Sequence, residues 1–315
     1  MVVMIEEERV TISNDIDIGA TIAYSNKNEK RPLVVILMGT GSLDRDGNDG
    51  KNVSNIYKNM SDMFVNMGCV CIRYDKRGTH ESTGNIKIAG LLDLVNDAAN
   101  VIQYAKKLEY VDNDKIIACG HSEGTMIATL LIEKVKLQGI ILLCGGCMSM
   151  KDAMMYQNLK ICDEVETMEG IKGWFLRLFL KKEKVEKEVN DLYNKADNSK
   201  KDRIFYKGTF LGTKYLHEHG ELTGEKYIQL IKEFRGKTLA ITGKADLQAD
   251  YSKLENIASC DNVTIYTPEK VNHILREIDD DNKFMNVMKQ YKRLLKNDMD
   301  EGTKEQIGQW LKTNF

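Results

Sequence analysis

The stretch Gly120-His121-Ser122-Glu123-Gly124 constrains this chain more than any other. It lies between an apolar run, Ile116-Ile117-Ala118-Cys119, and a run of helical character, Thr125-Met126-Ile127-Ala128-Thr129-Leu130-Leu131. A G-x-S-x-G pentapeptide is common by chance; between a strand and a helix it is the context of a nucleophile elbow. A turn that tight forces the serine into a strained backbone conformation. It admits only small residues two before and two after, here Gly120 and Gly124. The Ser122 hydroxyl then stands above the strand ends, and the first N–H groups of the following helix point at the same spot. The plain alternative is a Gly-rich strand-to-helix turn with a buried serine.

The rest of the chain supplies the frame such an elbow needs. Glu7–Ser13 and Gly19–Tyr24 alternate as two opening strands, a hairpin. Leu33–Met38 is a continuous apolar run of the kind a central strand shows when both its faces are covered. A Gly-rich loop, 39–50, follows, then a helix with Ile56, Met60, Met63, Phe64 and Met67 on one face. Cys69–Tyr74 reads as a strand, and Leu91, Leu94, Val95, Ala98, Val101, Ile102, Ala105 and Leu108 as a helix in register. After the Ser122 segment comes another strand, Gly139–Leu143. From about Met148 to Arg235 the alternation gives way to a helical, Met-rich stretch; Lys237–Thr242 and Val263–Thr267 then resume as strands. The last helix is expected to open on a capping box, Thr303-x-x-Gln306, and to bury Ile307, Trp310 and Leu311. The expectation is an α/β fold with a doubly wound, mostly parallel sheet and an inserted helical cap. Its parts are a first core segment 1–147, the cap 148–235 and a second core segment 236–315.

Composition narrows the partners. At 315 residues, with a net charge of −2 and 29% charged side chains, the chain lacks the basic excess that nucleic acid requires. Its start has no basic n-region or long apolar core, and no run reaches the ~18 apolar residues a membrane helix needs, so no stable membrane association is expected. Seven cysteines, an odd number spread along the chain, suggest reduced thiols and a cytoplasmic protein. Cys144-Gly145-Gly146-Cys147 is a CxxC without a second pair or histidines at ligand spacing, which fits unpaired thiols at a strand end better than a zinc or redox site.

A serine hydroxyl is inert near neutral pH unless a base takes its proton. Behind an elbow of this kind the partners follow in the order nucleophile, acid, histidine. Of five histidines, His80 and His121 come too early and His217 and His219 fall in the cap; His273, just after the last strand, is placed to be the base. The acid should follow the strand Leu239-Ala240-Ile241-Thr242, which selects Asp246, with Asp250 as the alternative. Oxyanion donors are expected from the backbone N–H of Glu123 and from the loop Gly39-Thr40-Gly41-Ser42, with Thr40 preferred. No G-K-[ST] follows that loop, which disfavours a phosphate loop.

With these residues in place, the chain resembles the α/β-hydrolases, and among them bacterial esterases of the serine-aminopeptidase-like group. Four segments carry the resemblance: 39–48, Arg73-Tyr74-Asp75-Lys76-Arg77-Gly78, the Ser122 pentapeptide, and Gly243-Lys244-Ala245-Asp246-Leu247-Gln248 with Asn272-His273. It implies a Ser122–Asp246–His273 triad, oxyanion donors from Thr40 and Glu123, and hydrolysis of carboxylic esters. The chain departs from the pattern at Ser42, where proline is frequent, at Ala249, where valine is usual, and at His80, where glycine is common. Asp75 and Arg77 are expected to pair and brace the elbow loop. Asp44, Arg45 and Asp46 either rim the pocket or form a charged turn.

In the cap, Met148, Met150, Met154, Met155 and Tyr156, with Trp174, Phe175, Leu178 and Phe179, either line an apolar acyl pocket or pack the lid onto the main body. Docking of 173–180 on lipid is a third possibility, weakened by the lack of a strong basic face. The favoured reading is a serine carboxylesterase acting on a small acyl ester of short to medium chain. A thioesterase or small-peptide hydrolase shares every catalytic part. A non-catalytic, hydrolase-like binding protein is the rival from another class, and the filled triad positions argue against it. No metal or organic cofactor is implied.

Overall fold

The structure is a computed structural model and describes residues 3–50 and 53–315. The chain opens with strands β1 (Glu6–Ser13), β2 (Asp17–Tyr24) and β3 (Arg31–Leu37), then helix α1 (Ile56–Asn66). Strand β4 (Val70–Tyr74), helix α2 (Leu91–Ala105), strand β5 (Val111–His121), helix α3 (Glu123–Leu131) and strand β6 (Gly139–Leu143) follow. Between β6 and the next sheet strand lie α4 (Met150–Thr167), α5 (Gly170–Phe179), α6 (Lys182–Asp197), the strands β7 (Arg203–Tyr206) and β8 (Thr209–Gly212), α7 (Thr213–Glu221) and α8 (Gly224–Glu233). The chain closes with β9 (Lys237–Ile241), β10 (Val263–Tyr266), α9 (Val287–Leu294) and α10 (Glu301–Asn314).

Eight strands form one sheet in the order β1-β2-β4-β3-β5-β6-β9-β10. The β1–β2 and β2–β4 pairs are antiparallel and the remaining pairs parallel. Period-two alternation along β3 sends Leu33, Val35 and Leu37 to one face and Val34 and Ile36 to the other. Helices α2, α3 and α8 cover the first face; α1, α9 and α10 cover the second. Each β3 residue from Leu33 to Leu37 is fully buried, which is why that run shows no polar alternation. The outer strand β1 opens on Glu6, Glu7 and Glu8, charges that discourage pairing of a free edge with another chain.

Two local expectations are corrected. The stretch 148–235 is not wholly helical, because β7 and β8 form an antiparallel hairpin within it. Arg203-Ile204-Phe205-Tyr206 carries strand-favouring side chains, and Lys207 and Gly208 both take positive φ, 43° and 89°, as a tight two-residue hairpin turn requires. Helix α10 does not start on Thr303. Asp300 is its N-cap and accepts from the Thr303 N–H at 2.7 Å, while Ile307, Trp310 and Leu311 are buried. Asp300 wins because its carboxylate caps the helix dipole with full charge.

Helices α4, α6 and α7 with β7 share a small core of their own, built on Val189, Leu192, Tyr193 and Leu216. By contrast, Tyr227, Leu230 and Ile231 of α8 belong to the core under the main sheet. Among the described residues no helix is long and apolar enough to cross a membrane.

Candidate active site

The turn from β5 into α3 holds Ser122 at φ 56° and ψ −122°, a conformation that costs backbone energy in any residue but glycine. Packing maintains it. A Cβ at Gly120 would lie 2.1 Å from the Gly124 carbonyl oxygen, and one at Gly124 would lie 2.0 Å from the Leu37 carbonyl oxygen. Both positions are closed to every residue but glycine. The Ser122 N–H donates to the Leu143 carbonyl at 2.9 Å, which ties the turn to the end of β6.

Ser122, His273 and Asp246 form one hydrogen-bonded chain. His273 Nε2 lies 3.0 Å from Ser122 Oγ, and its Nδ1 lies 2.8 Å and 3.0 Å from the two Asp246 carboxylate oxygens. The carboxylate accepts, so Nδ1 carries the proton and Nε2 is left to accept from the serine. Asp246 Oδ1 also accepts from the backbone N–H groups of Gln248 and Ala249, at 2.7 Å and 3.0 Å, which fixes its plane. Asp246 and His273 are both buried. Asp250, the alternative acid, is elsewhere engaged: it caps the short helical turn 251–257 and accepts from Ser252.

His121 has a role that sequence order alone does not reveal. It is buried, its Nε2 donates to the His273 carbonyl at 2.8 Å, and its Nδ1 accepts from the Tyr57 hydroxyl at 3.2 Å. The same hydroxyl accepts from the Gly39 N–H at 2.9 Å. One relay therefore joins the loop after β3 to the backbone that carries His273. Burial pushes the His121 pKa down to about 4, with the neighbouring His273 adding to the effect, so the ring is a neutral strut. Its place beside Ser122 in the pentapeptide was the available signal.

Thr40 and Glu123 both line the cleft beside Ser122, and Glu123 opens α3, where the first N–H groups have no intrahelical acceptor. Gly39 lets the loop come close: a Cβ there would sit 3.0 Å from Ser122 Cβ. The Glu123 side chain is fully buried in a polar cage. Lys76 Nζ donates to its Oε2 at 2.9 Å and to the Gly39 carbonyl at 2.6 Å. The Tyr215 hydroxyl donates to Glu123 Oε1, and His219 Nε2 lies 3.3 Å from the same carboxylate oxygen. Burial by itself would raise the Glu123 pKa; Lys76, His219 and Tyr215 more than reverse that and hold the carboxyl well below its usual range. Lys76, Tyr215 and His219 were not singled out from sequence, since nothing in their spacing relates them to Ser122.

Residues 50–258, more than half of the chain, match the family model described as serine aminopeptidase, S33. The chain belongs to this family of α/β hydrolases. Esterase EstD of Thermotoga maritima is 25% identical over 166 residues, spanning 51% of this chain and 39% of EstD, so the chain covers well under two thirds of that relative's length. Two solved structures share the fold. Est1E from Butyrivibrio proteoclasticus, with ferulic acid bound, superposes with a TM-score of 0.60 at 18% identity, covering 97% of this chain and 98% of Est1E. The Pyrococcus furiosus esterase PF2001 gives 0.58 at 12% identity, covering 98% of this chain and 91% of its own.

In this S33-family chain the cleft above Ser122 measures about 1370 Å³. Met148, Met150 and Met154 line it, together with Gln157. Met155 packs instead into the small core of the inserted segment, and the Tyr156 hydroxyl donates to the Asp246 carbonyl at 3.2 Å. Trp174, Phe175, Leu178 and Phe179 neither line the cleft nor pack inward; α5 buries only Gly173 and turns these four to solvent. The expected Asp75–Arg77 pair does not form. Arg77 makes a two-pronged bond to Asp97, at 2.6 Å and 2.7 Å, while Asp75 pairs with Arg45 at 2.9 Å. The chain leaves β4 at Tyr74 and turns at Arg77 and Gly78, so Asp75 and Arg77 meet different partners. Arg45 is consequently buried, Asp46 accepts from Arg73 at 2.6 Å, and Asp44 closes its own turn on the Asn48 N–H, so none of the three rims the cleft.

Cys144, Asp246 and His273 bring ligand-type atoms within 4.8 Å of one another. Burial pushes the Cys144 thiol well up, and both His273 ring nitrogens are engaged, which suits a packed thiol rather than a metal-binding thiolate. Cys147, the other half of the CxxC, is likewise a buried free thiol, its pKa raised to about 12 by burial.

Proposed function

We infer that this S33-family hydrolase is a serine esterase, cleaving carboxylic esters of short to medium acyl chains through an acyl-enzyme. The observation that carries the reading is the continuous Ser122–His273–Asp246 hydrogen-bonded chain at the floor of an open cleft. Ser122 Oγ attacks the ester carbonyl while His273 Nε2 takes its proton. Asp246 holds the ring tautomer and stabilises the imidazolium. The backbone N–H groups of Thr40 and Glu123 receive the developing oxyanion; losing one such donor costs about 2.7–4 kcal/mol of transition-state stabilisation. His273 then protonates the departing alcohol, and water, deprotonated in turn by His273, frees the acid. Met148, Met150 and Met154 of the inserted segment supply an adaptable apolar wall for the acyl chain.

On this reading residues 148–235 act as a lid over the core formed by 1–147 and 236–315. Seven free cysteines, six of them buried, suit a reducing compartment, which supports a cytoplasmic location. Hydrolysis of p-nitrophenyl esters from acetate to decanoate, with Ser122→Ala beside the wild type, is the direct test. The variant should lose on the order of 10⁴–10⁶-fold in kcat. Full activity in Ser122→Ala would sink the mechanism.

A further inference from the structure

Beyond His273 the cleft runs along one side of α9, where Lys289, Lys292, Arg293 and Lys296 line it. The spacing i, i+3, i+4, i+7 sets the four on one stripe that continues just past the end of the helix. All four are exposed. Arg293 is held at 2.7 Å by Asp279 and by Asp280, but among the described residues no carboxylate pairs with Lys289, Lys292 or Lys296.

Helix energetics do not ask for this arrangement. Like charges three and four apart repel, and only the last turn, holding Lys292 and Arg293, gains from the helix dipole. Lys289 stands in the first turn, the end that disfavours a cation. The same cleft is lined by Ser54, Asn55 and Asn59, which are neutral hydrogen-bonding groups, and by one carboxylate from the same loop, Asp49. With Arg293 offset by its two aspartates, three lysines against Asp49 leave this end of the cleft cationic in a chain whose net charge is −2.

Position assigns the stripe to one half of the substrate. The Tyr291 hydroxyl of α9 accepts from Gln248 Nε2 at 2.8 Å, and the Gln248 N–H donates to Asp246, so α9 is anchored beside the His273–Asp246 pair. The leaving atom must lie within reach of the His273 proton. The acyl arm then has the methionine wall.

We propose that the α9 stripe binds a phosphorylated leaving group, so that the preferred substrates are esters or thioesters whose alcohol or thiol portion carries phosphate. This rests on the serine-esterase reading. The chemistry is unchanged: the acyl–oxygen or acyl–sulfur bond breaks, water supplies the hydroxyl, and the phosphorylated alcohol or thiol leaves with a proton.

Two substrate pairs test it, each with the same acyl group. Butyryl-coenzyme A is compared with S-butyryl-N-acetylcysteamine, and 1-butyryl-glycerol 3-phosphate with monobutyrin; the pair that responds distinguishes a nucleotide-bearing thiol from a phosphorylated alcohol. In at least one pair the wild type should favour the charged member by tenfold or more in kcat/KM, with the preference shrinking as salt rises. The triple variant Lys289→Glu/Lys292→Glu/Lys296→Glu should bring that ratio near one. A control triple of exposed lysines at the start of α6, none of which lines the cleft, Lys181→Glu/Lys184→Glu/Lys187→Glu, should keep it. Thermal melts establish that each variant is folded. A wild-type ratio near one in both pairs overturns the proposal, as does a preference that survives in the α9 variant. If p-nitrophenyl butyrate and all four substrates are inert, the esterase reading fails. Calorimetric titration with coenzyme A then decides the stripe: saturable binding lost in the α9 variant supports it, and no binding overturns it.

Discussion

Asp246 and Asp250 are four residues apart, and the sequence could only rank them. Their hydrogen bonds separate them: one carboxylate meets His273 Nδ1, the other caps the next turn. Asp246→Asn should cut kcat by about 10⁴-fold, because an amide facing Nδ1 favours the wrong ring tautomer. Asp250→Asn should stay within about twofold of wild type in the same p-nitrophenyl butyrate assay, its side chain touching no part of the site. His121 yields a stability prediction. Its folded pKa, about 4, lies below the ordinary 6.5, so as pH falls the unfolded chain takes up a proton before the folded one does. The stability tied to this ring is complete above 6.5 and is lost as pH falls toward 4, about 3 kcal/mol in all. His121→Gln should therefore show a shallower fall in Tm than wild type between those limits. Parallel curves would mean that the ring is not buried neutral.

Among the elements, α7 makes the least expected contribution. It belongs to the inserted segment, yet its Tyr215 hydroxyl donates to the buried carboxylate of Glu123, a residue proposed above as an oxyanion donor. A hydrogen bond to a charged group contributes about 1.5–3 kcal/mol, so Tyr215→Phe should lower kcat by roughly 10- to 100-fold. KM for p-nitrophenyl butyrate should move little if, as proposed, this bond positions a donor that acts on the transition state. A rise in KM with kcat intact would instead place Tyr215 in substrate binding. The elbow gives the contrasting case. Gly124→Ala sets a methyl against the Leu37 carbonyl in the middle of the sheet, where neither partner can move. That variant should fail to accumulate as folded protein, judged by circular dichroism of whatever can be purified.

For the molecule as a whole, stability is unevenly distributed. The strands at the centre of the sheet are buried on both faces, whereas the inserted segment rests on a core of its own and α5 buries a single glycine. Hydrogen exchange should show β3, β5 and β6 opening only with global unfolding and α5 exchanging fastest among the helices. Protection in α5 equal to that in β5 would contradict this. Such a gradient suits a scaffold that must keep Ser122 Oγ and His273 Nε2 3.0 Å apart.

What the sequence determined by itself was everything governed by local pattern. Doubly buried strands appear as unbroken apolar runs, and helices that cover a sheet show their 3.6-residue period. The elbow announces itself because only glycine tolerates the approach of the Leu37 and Gly124 carbonyls. Chain order then led to His273 and Asp246, since the topology places strand ends in sequence. The Lys207-Gly208 hairpin escaped because its turn lacks the usual Asn-Gly, and the Thr303 box misled because Asp300 stands three residues earlier with a better cap. Tertiary structure alone decided the partners of buried charge. Arg77 could have met Asp75 or Asp97, and Glu123 needed Lys76 from beyond β4 and Tyr215 and His219 from α7, two segments far apart in the chain. A buried carboxylate takes whatever cation or donor the packed chain brings within about 3 Å, because leaving it unpaired costs several kcal/mol. That choice depends on distances across the fold, which no spacing along the chain encodes.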